Sequence, residues 1–355
     1  MKNGSRVLHI GIIGCGNVTD SFHLPSLKFL KNVDVTALSD KDERRLSTVA
    51  DRFGINRRYT DPLELINDPG IEAVAVCVPP SFQFSLCMAA LNAGKHLFVE
   101  KPGALNLHDF DTLISTAGAF HLKAFVGFNL RWHTSVQEAK AALRDGVPGF
   151  INSARTTITT THSTLSPWRR AREQGGGSII DLGVHHFDLL CYLFDTDMDE
   201  VYAKTVSSNI IEDESAVVTL IMSNGIMISS IFSSGSTDNN EIEIYGDSGS
   251  LGFSLYDIGG LEARPCSSPP GGLSSLAVKP IMRILRAAAN AEVLRRGGVF
   301  RDSYYRQWAG FADSVLEDRK PGCGLEDGKR ALGIALSAIE SASSGKPVYK
   351  GVRKS

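Results

Sequence analysis

Three short stretches carry side chains suited to chemistry on a bound small molecule. In GIIGCGNVTD, residues 11–20, glycines 14 and 16 close an apolar run. A strand that turns sharply into a helix needs a residue free to take positive φ. A backbone that approaches a phosphate needs no side chain in the way. Gly14 and Gly16 meet these two demands, and N–H groups at the start of the next helix then bind the anion. The motif alone is weak, and Thr19 stands where its fingerprint has a third small residue. Asp40 strengthens it, because it follows the run VDVTAL at the end of the next strand. A carboxylate there hydrogen-bonds ribose hydroxyls and repels a 2′-phosphate, which favours NAD over NADP. Arg44 and Arg45 lie beside it and can accept a 2′-phosphate, so NADP stands as the alternative.

The second stretch is FVEKP, with Glu100, Lys101 and Pro102 at the C-terminal end of an apolar run. Ligands of open α/β sheets gather at that edge. A lysine there can hydrogen-bond a substrate hydroxyl or carbonyl and stabilise developing negative charge; a surface lysine before a turn proline would look the same. The third stretch is GGGSIIDLGVHHFDLLCYLF, 175–194. Its helix is apolar nearly all round, yet Asp181, His185 and Asp188 fall at i, i+4 and i+7, on one stripe. Ionisable groups on a buried helix need partners or a lined cleft. Asp181 and His185 can reach one substrate, and a histidine that titrates near neutral pH suits removal of an alcohol proton. Asp188 is expected to support His185 or the backbone. His186 points elsewhere and reads as structural. The glycines before the helix, and Gly183 within it, let another chain or a ligand come close. The plain alternative is a core histidine with a capping aspartate.

These groups need elements to hold them. Over the first third, strand-like runs alternate with helical ones: VLHIGII (7–13), SFHLPSLKFL (21–30, bent or ended by Pro25), VDVTALSD (33–40), DERRLSTVADRFG (42–54), EAVAVCVPP (72–80), SLCMAALNAGKH (85–96), HLFVEKP (96–102), HDFDTLISTAGAF (108–120) and KAFVGF (123–128). This α/β alternation predicts a Rossmann-type, doubly wound parallel sheet with helices on both faces. Longer strand-like runs follow at 151–161, 200–206, 215–223, 226–234, 240–246 and 249–255, and short turns link the last four. They predict an antiparallel meander within a C-terminal α+β domain that has a large open, mostly antiparallel sheet. One face of that sheet is free for a second subunit. The expected domains are 1–126 for the dinucleotide and 127–355 for substrate binding and oligomerisation, with a helix near 326–344 able to pack back on the first. Segment 256–280, rich in Gly, Ser and Pro, reads as a long surface loop.

Composition narrows the classes. The 355 residues exceed what a single core usually holds, and a 43% apolar content is enough for two. A formal net charge of −2 gives no electrostatic support for a nucleic-acid partner. No apolar run reaches the roughly 18 residues that a membrane span needs. The six cysteines show no CxxC and no metal-ligand spacing, so no metal is expected. They read as buried reduced thiols of a cytoplasmic protein. Lys2 and Arg6 before VLHIGIIGC mimic a short export signal, but His9 interrupts a run that is already too short.

With these residues in hand, the chain resembles the Gfo/Idh/MocA family of oxidoreductases. The resemblance rests on GIIGCGNV, AGKHLFVEKP, GFNLR (127–131), GGGSIIDLGVHHFD and the terminal LEDGKRALGIALSAIESASSGKPV, in that order. It implies an NAD(P)-linked reaction on a sugar or cyclitol, with Lys101, Asp181 and His185 as the catalytic set. Gly14, Gly16, Asn17, Val18, Asp40, Pro79, Glu100 and Lys101 would line the cofactor. Asn129, Arg131, Trp168 and Arg169 would lie near the substrate, in a homodimer or homotetramer. Some relatives hold NAD tightly and cleave glycosidic bonds through transient oxidation; a non-catalytic NAD sensor is a further reading, and the intact catalytic set argues against it. Three positions depart from the family pattern: Thr19, Gln83 where many members carry histidine, and Gly103 where a larger apolar residue is common. A basic amphipathic helix over 277–298 reads as solvated; its functional alternative puts Arg283, Arg286, Arg295 or Arg296 on an anionic substrate.

Overall fold

The computed structural model describes residues 6–161, 166–257, 259–266 and 291–350. The chain divides into two compact units. One runs up to Asn129 and includes Tyr304–Lys329; the other comprises Leu130–Ser303 and the chain from Arg330 on.

The first unit holds a six-stranded parallel sheet. Its strands are β1 (Leu8–Ile13), β2 (Val33–Ser39), β3 (Arg57–Tyr59), β4 (Ala73–Val76), β5 (His96–Val99) and β6 (Ala124–Val126). They lie in the order β3-β2-β1-β4-β5-β6, and all neighbours are parallel. The doubly wound prediction is met. The order reverses between β1 and β4, so the loops after these two strands flank the crevice where such sheets bind ligands. β4 is buried along its whole length, as a central strand with helices on both faces must be. β3 has no counterpart among the predicted strands. Arg57-Arg58-Tyr59 is short and charged, which suits an edge and carries no apolar signal.

Pro25 does not end its helix, which runs over 17–27. The turn Thr19–His23 is widened to a π-turn, and Leu24 N–H bonds to the Thr19 carbonyl five residues back. The wider turn takes up the missing N–H of Pro25 and the clash its ring would otherwise make. The distant segment 304–329 completes this unit's core. Trp308 is fully buried and stacks on Phe98, with ring centroids 4.2 Å apart.

The second unit holds an eight-stranded sheet: β7 (Ile151–Thr159), β8 (Met198–Val206), β9 (Ser215–Met222), β10 (Met227–Ser233), β11 (Asn239–Gly246), β12 (Gly249–Ser254), β13 (Glu262–Pro265) and β14 (Val348–Tyr349). The order is β13-β12-β11-β7-β10-β9-β8-β14. All these pairs are antiparallel except β7 with β10. The open, mostly antiparallel sheet is as expected, but the meander is not. β7 lies between β10 and β11, which are therefore roughly 10 Å apart. The connection 234–238 is long enough to step over it, whereas a two-residue hairpin turn joins only adjacent strands. β13 also puts a strand inside the segment expected to be loop; residues 258 and 267–290 of the chain, including Arg283 and Arg286, lie outside the described residues.

β9 and β10 alternate buried and exposed positions. Their inner face packs on the 178–194 helix, where Phe187 meets Phe232 edge-on at 5.4 Å. Their outer face leaves Val217, Met227 and Ile231 exposed. Five cysteines are buried free thiols, and Cys266 is exposed, against expectation. Among the described residues, no helix is long and apolar enough to cross a membrane.

Candidate active site

The glycine turn is built as a phosphate site requires. Gly14 has φ +99°, and a side chain there would collide with the Cys77 carbonyl of the loop after β4. Gly16 faces open space, so its backbone can be approached. Asn17, exposed, and Val18, half-buried, open the helix behind it. Asp40 is buried beside the turn. One of its carboxylate oxygens accepts from Cys15 N–H at 2.8 Å, the other from Asp42 N–H at 2.9 Å. These bonds fix the carboxylate and leave lone pairs for ribose hydroxyls. A dinucleotide fits this donor set: an open glycine backbone at a helix N-terminus with an oriented acid beside it. Burial, with the Asp40 carboxylate close by, pushes the Cys15 thiol up to about 12, so it stays protonated and is no nucleophile.

Thr19 is buried behind the turn. Its hydroxyl donates to the Gly14 carbonyl at 2.6 Å, tying the first helix to the turn. The departure from the fingerprint therefore supplies a hydrogen bond that alanine or glycine cannot make.

Glu100 and Lys101 follow β5, and Lys101 is half-buried. Glu100 is buried, with one oxygen 3.0 Å from Nε2 of His23, which is itself fully buried. Trp308 Nε1–H donates to His23 Nδ1 at 3.0 Å. An indole N–H can only donate, so His23 accepts at Nδ1; its Nε2 and the Glu100 oxygen lie close but do not meet hydrogen-bond geometry. Sequence reasoning missed this Trp–His–Glu cluster, because its members lie up to 285 positions apart. The loop after β4 carries the half-buried Pro79. Gln83, in the helix Pro80–Asn92, is buried and bonded to the loop of Lys101.

In the second unit, the turn Ile179–Gly183 is again a π-turn, followed by the helix Val184–Phe194. Asp181 is buried and 3.3 Å from Arg169 Nε. His185, in the first turn of the following helix, is half-buried. Asp188 takes both arms of Arg131, Nε to Oδ2 at 2.7 Å and Nη2 to Oδ1 at 2.6 Å. The sequence had placed it in support of His185 or of the backbone. Arg131 also lies over the Tyr192 ring, 5.1 Å from its centroid. Asn129, at the end of the first unit, is buried. The glycine run makes room for another segment of this chain: a side chain at Gly176 would collide with the backbone of Trp168 and Arg169. Arg169 in turn covers the Trp168 ring at 5.2 Å. His186 is structural as expected. It is fully buried, 2.9 Å from Asn240 Oδ1, and burial lowers its pKa to about 4. Arg296 pairs with Glu292 and with buried Asp302, at 3.1 and 2.7 Å.

A doubly wound nucleotide sheet joined in one chain to an open α+β sheet, with the acid and lysine at the carboxyl edge of the first, defines a two-domain NAD-binding dehydrogenase acting on CH–OH groups. The chain belongs to the Gfo/Idh/MocA oxidoreductase family. Residues 8–128 match its NAD-binding Rossmann fold, and residues 140–349 match its C-terminal alpha/beta domain. Over 353 residues the chain is 29% identical to myo-inositol 2-dehydrogenase of Thermotoga maritima, covering 96% of this chain and 98% of that one. D-apiose dehydrogenase of Paraburkholderia graminis is 27% identical over 61% of this chain and 57% of its own. A Bordetella pertussis dehydrogenase solved with NADH and UDP-GlcNAcA shares the fold at a TM-score of 0.83, with 18% identity over 98% of this chain and 99% of that one.

Proposed function

We propose that this enzyme is an NAD-linked dehydrogenase or ketoreductase of a sugar, sugar derivative or cyclitol. The observation that carries the reading is the Asp181–His185 helix: a buried carboxylate held by Arg169, four residues before a half-buried histidine. When bound, the nicotinamide ring supplies the hydride acceptor at C4. His185 removes the hydroxyl proton of the reacting carbinol. Lys101 hydrogen-bonds the same oxygen and stabilises its developing charge. Asp181 orients His185 and the substrate hydroxyls; Asn129, Trp168 and Arg169 serve the substrate, while Arg131 holds the helix. Gly14, Gly16, Asn17, Val18, Pro79 and Glu100 serve the cofactor. Asp40 selects NAD; Arg45, 3.6 Å from it, is the group that would admit NADP.

Two copies or four would associate through the outer sheet face, where Ile231 pairs with Val217 and Met227 with Ile221 across neighbouring strands. A reducing cytoplasm suits the buried thiols.

A panel of cyclitols, free sugars and nucleotide sugars, followed by NADH absorbance, tests the reading. A steady rise in NADH with one of them is expected; turnover without net NADH would instead mark a cofactor-recycling lyase or hydrolase. His185→Ala should leave NAD binding nearly unchanged and lower turnover by about 10²–10⁴-fold. Unchanged turnover in that variant would overturn the mechanism.

A further inference from the structure

We propose that Gln83 is a positioning residue for Lys101, acting through the backbone of the lysine's own turn; the inference rests on the catalytic role given to Lys101 above. Gln83 is 1% exposed. Its Nε2 donates to the Lys101 carbonyl at 3.4 Å and to the Val78 carbonyl at 3.1 Å. Its Oε1 accepts from Gly103 N–H at 3.0 Å. One primary amide thus grips both sides of Pro102, which has no N–H of its own to anchor the turn.

Gly103 is bound into the same device. It has φ +94°, a conformation that other residues adopt only with strain. A side chain there would also crowd Phe110, at 3.1 Å. Gln83 and Gly103 are therefore bonded to each other and form one feature. An ordinary surface turn would satisfy these carbonyl and amide groups with water. Here a buried side chain does so and leaves the Lys101 backbone one position. Through Val78, the same amide joins the loop after β4 to the loop after β5, the two loops at the carboxyl edge of the central strands.

Gln83→Met keeps the length of the side chain and removes all three bonds. Hydrogen exchange at Gly103 reads the clamp without any substrate: the amide should exchange at least about tenfold faster in the variant. Equal exchange would overturn the clamp. Its consequence for chemistry is read by a double-mutant cycle with the fastest substrate of the panel above. Gln83→Met alone should lower kcat/KM by about 10–100-fold, the scale of a small misplacement of a reacting group. In a Lys101→Met background, the same change should cost less than about twofold, because the group being positioned is gone. Losses that multiply would overturn the positioning role and leave the proposed function standing. A Lys101→Met enzyme with wild-type turnover, or a panel without any active member, would overturn the proposed function and this inference with it. If Gln83→Met shows no cooperative melting, Gln83→His, whose ring keeps one donor and one acceptor, carries the same cycle.

Discussion

Arg131→Met is the most informative single change in the second unit. Arg131 is 5% exposed and Asp188 2%, and their two hydrogen bonds, at 2.7 and 2.6 Å, form a bidentate fork. Removing the guanidinium leaves a carboxylate in an apolar helix. Breaking one side of such a pair costs about 3–5 kcal/mol. An independent route gives the same scale. The stranded Asp188 can escape by taking up a proton. Doing so at pH 7 against an ordinary carboxyl value of about 3.9 costs about 4 kcal/mol. That second route makes the loss depend on pH: at pH 5 the same protonation costs only about 1.5 kcal/mol. The assay is urea unfolding followed by far-UV circular dichroism at both pH values. With a slope of about 3 kcal/mol per molar, a loss of about 4 kcal/mol lowers the midpoint by about 1.3 M. Arg131→Met/Asp188→Leu should recover most of the loss, since an apolar pair of similar volume often replaces a buried ion pair without penalty. A loss below about 1 kcal/mol at pH 7, a loss that is the same at pH 5, or a double variant no better than the single one would refute the reasoning.

Two other outcomes are expected. Asp40→Asn keeps the side-chain length but removes the charge that holds Arg45 at 3.6 Å and repels a 2′-phosphate. The ratio of kcat/KM with NADP to that with NAD should rise at least about tenfold, and steady-state rates with both cofactors check it; a fixed ratio would show that Asp40 does not select. His186 is held neutral by burial, with its pKa lowered from 6.5 to about 4. Since the unfolded chain binds this proton first, its contribution is fully present above pH 6.5 and is lost as pH falls toward about 4, a range worth about 3 kcal/mol. His186→Gln should flatten the pH dependence of the unfolding midpoint over that range; an unchanged slope would assign it to other groups.

The sequence made the nucleotide sheet legible wherever strands were apolar and bounded by glycine or proline. β1, β2, β4, β5 and β6 stand where their runs are, while β3 escaped because Arg57 and Arg58 give it no apolar pattern. The second sheet was legible as strands but not as an order. Periodicity marks a strand and its faces, and says nothing of which neighbour it takes, so the insertion of β7 between β10 and β11 could not be read. Gly14, Gly16 and Asp40 could be read because the need for positive φ, for open backbone and for an acid at a strand end is local. Thr19 and Gln83 looked like defects in a pattern, and only their bonds to the Gly14 carbonyl and to the Lys101–Gly103 turn show what they do.

By itself, the sequence determined which side chains are available for hydride chemistry and which strand or helix end carries each one. Propensity, turn residues and apolar spacing act over a few positions, and these choices are made there. Only the tertiary structure decided the partner of each buried charge. Asp188 lies 57 positions from Arg131 and His23 lies 285 from Trp308, and no local rule connects them. A buried charge or polar group must find a complement once water is excluded. Which complement stands beside it is settled when distant segments pack together.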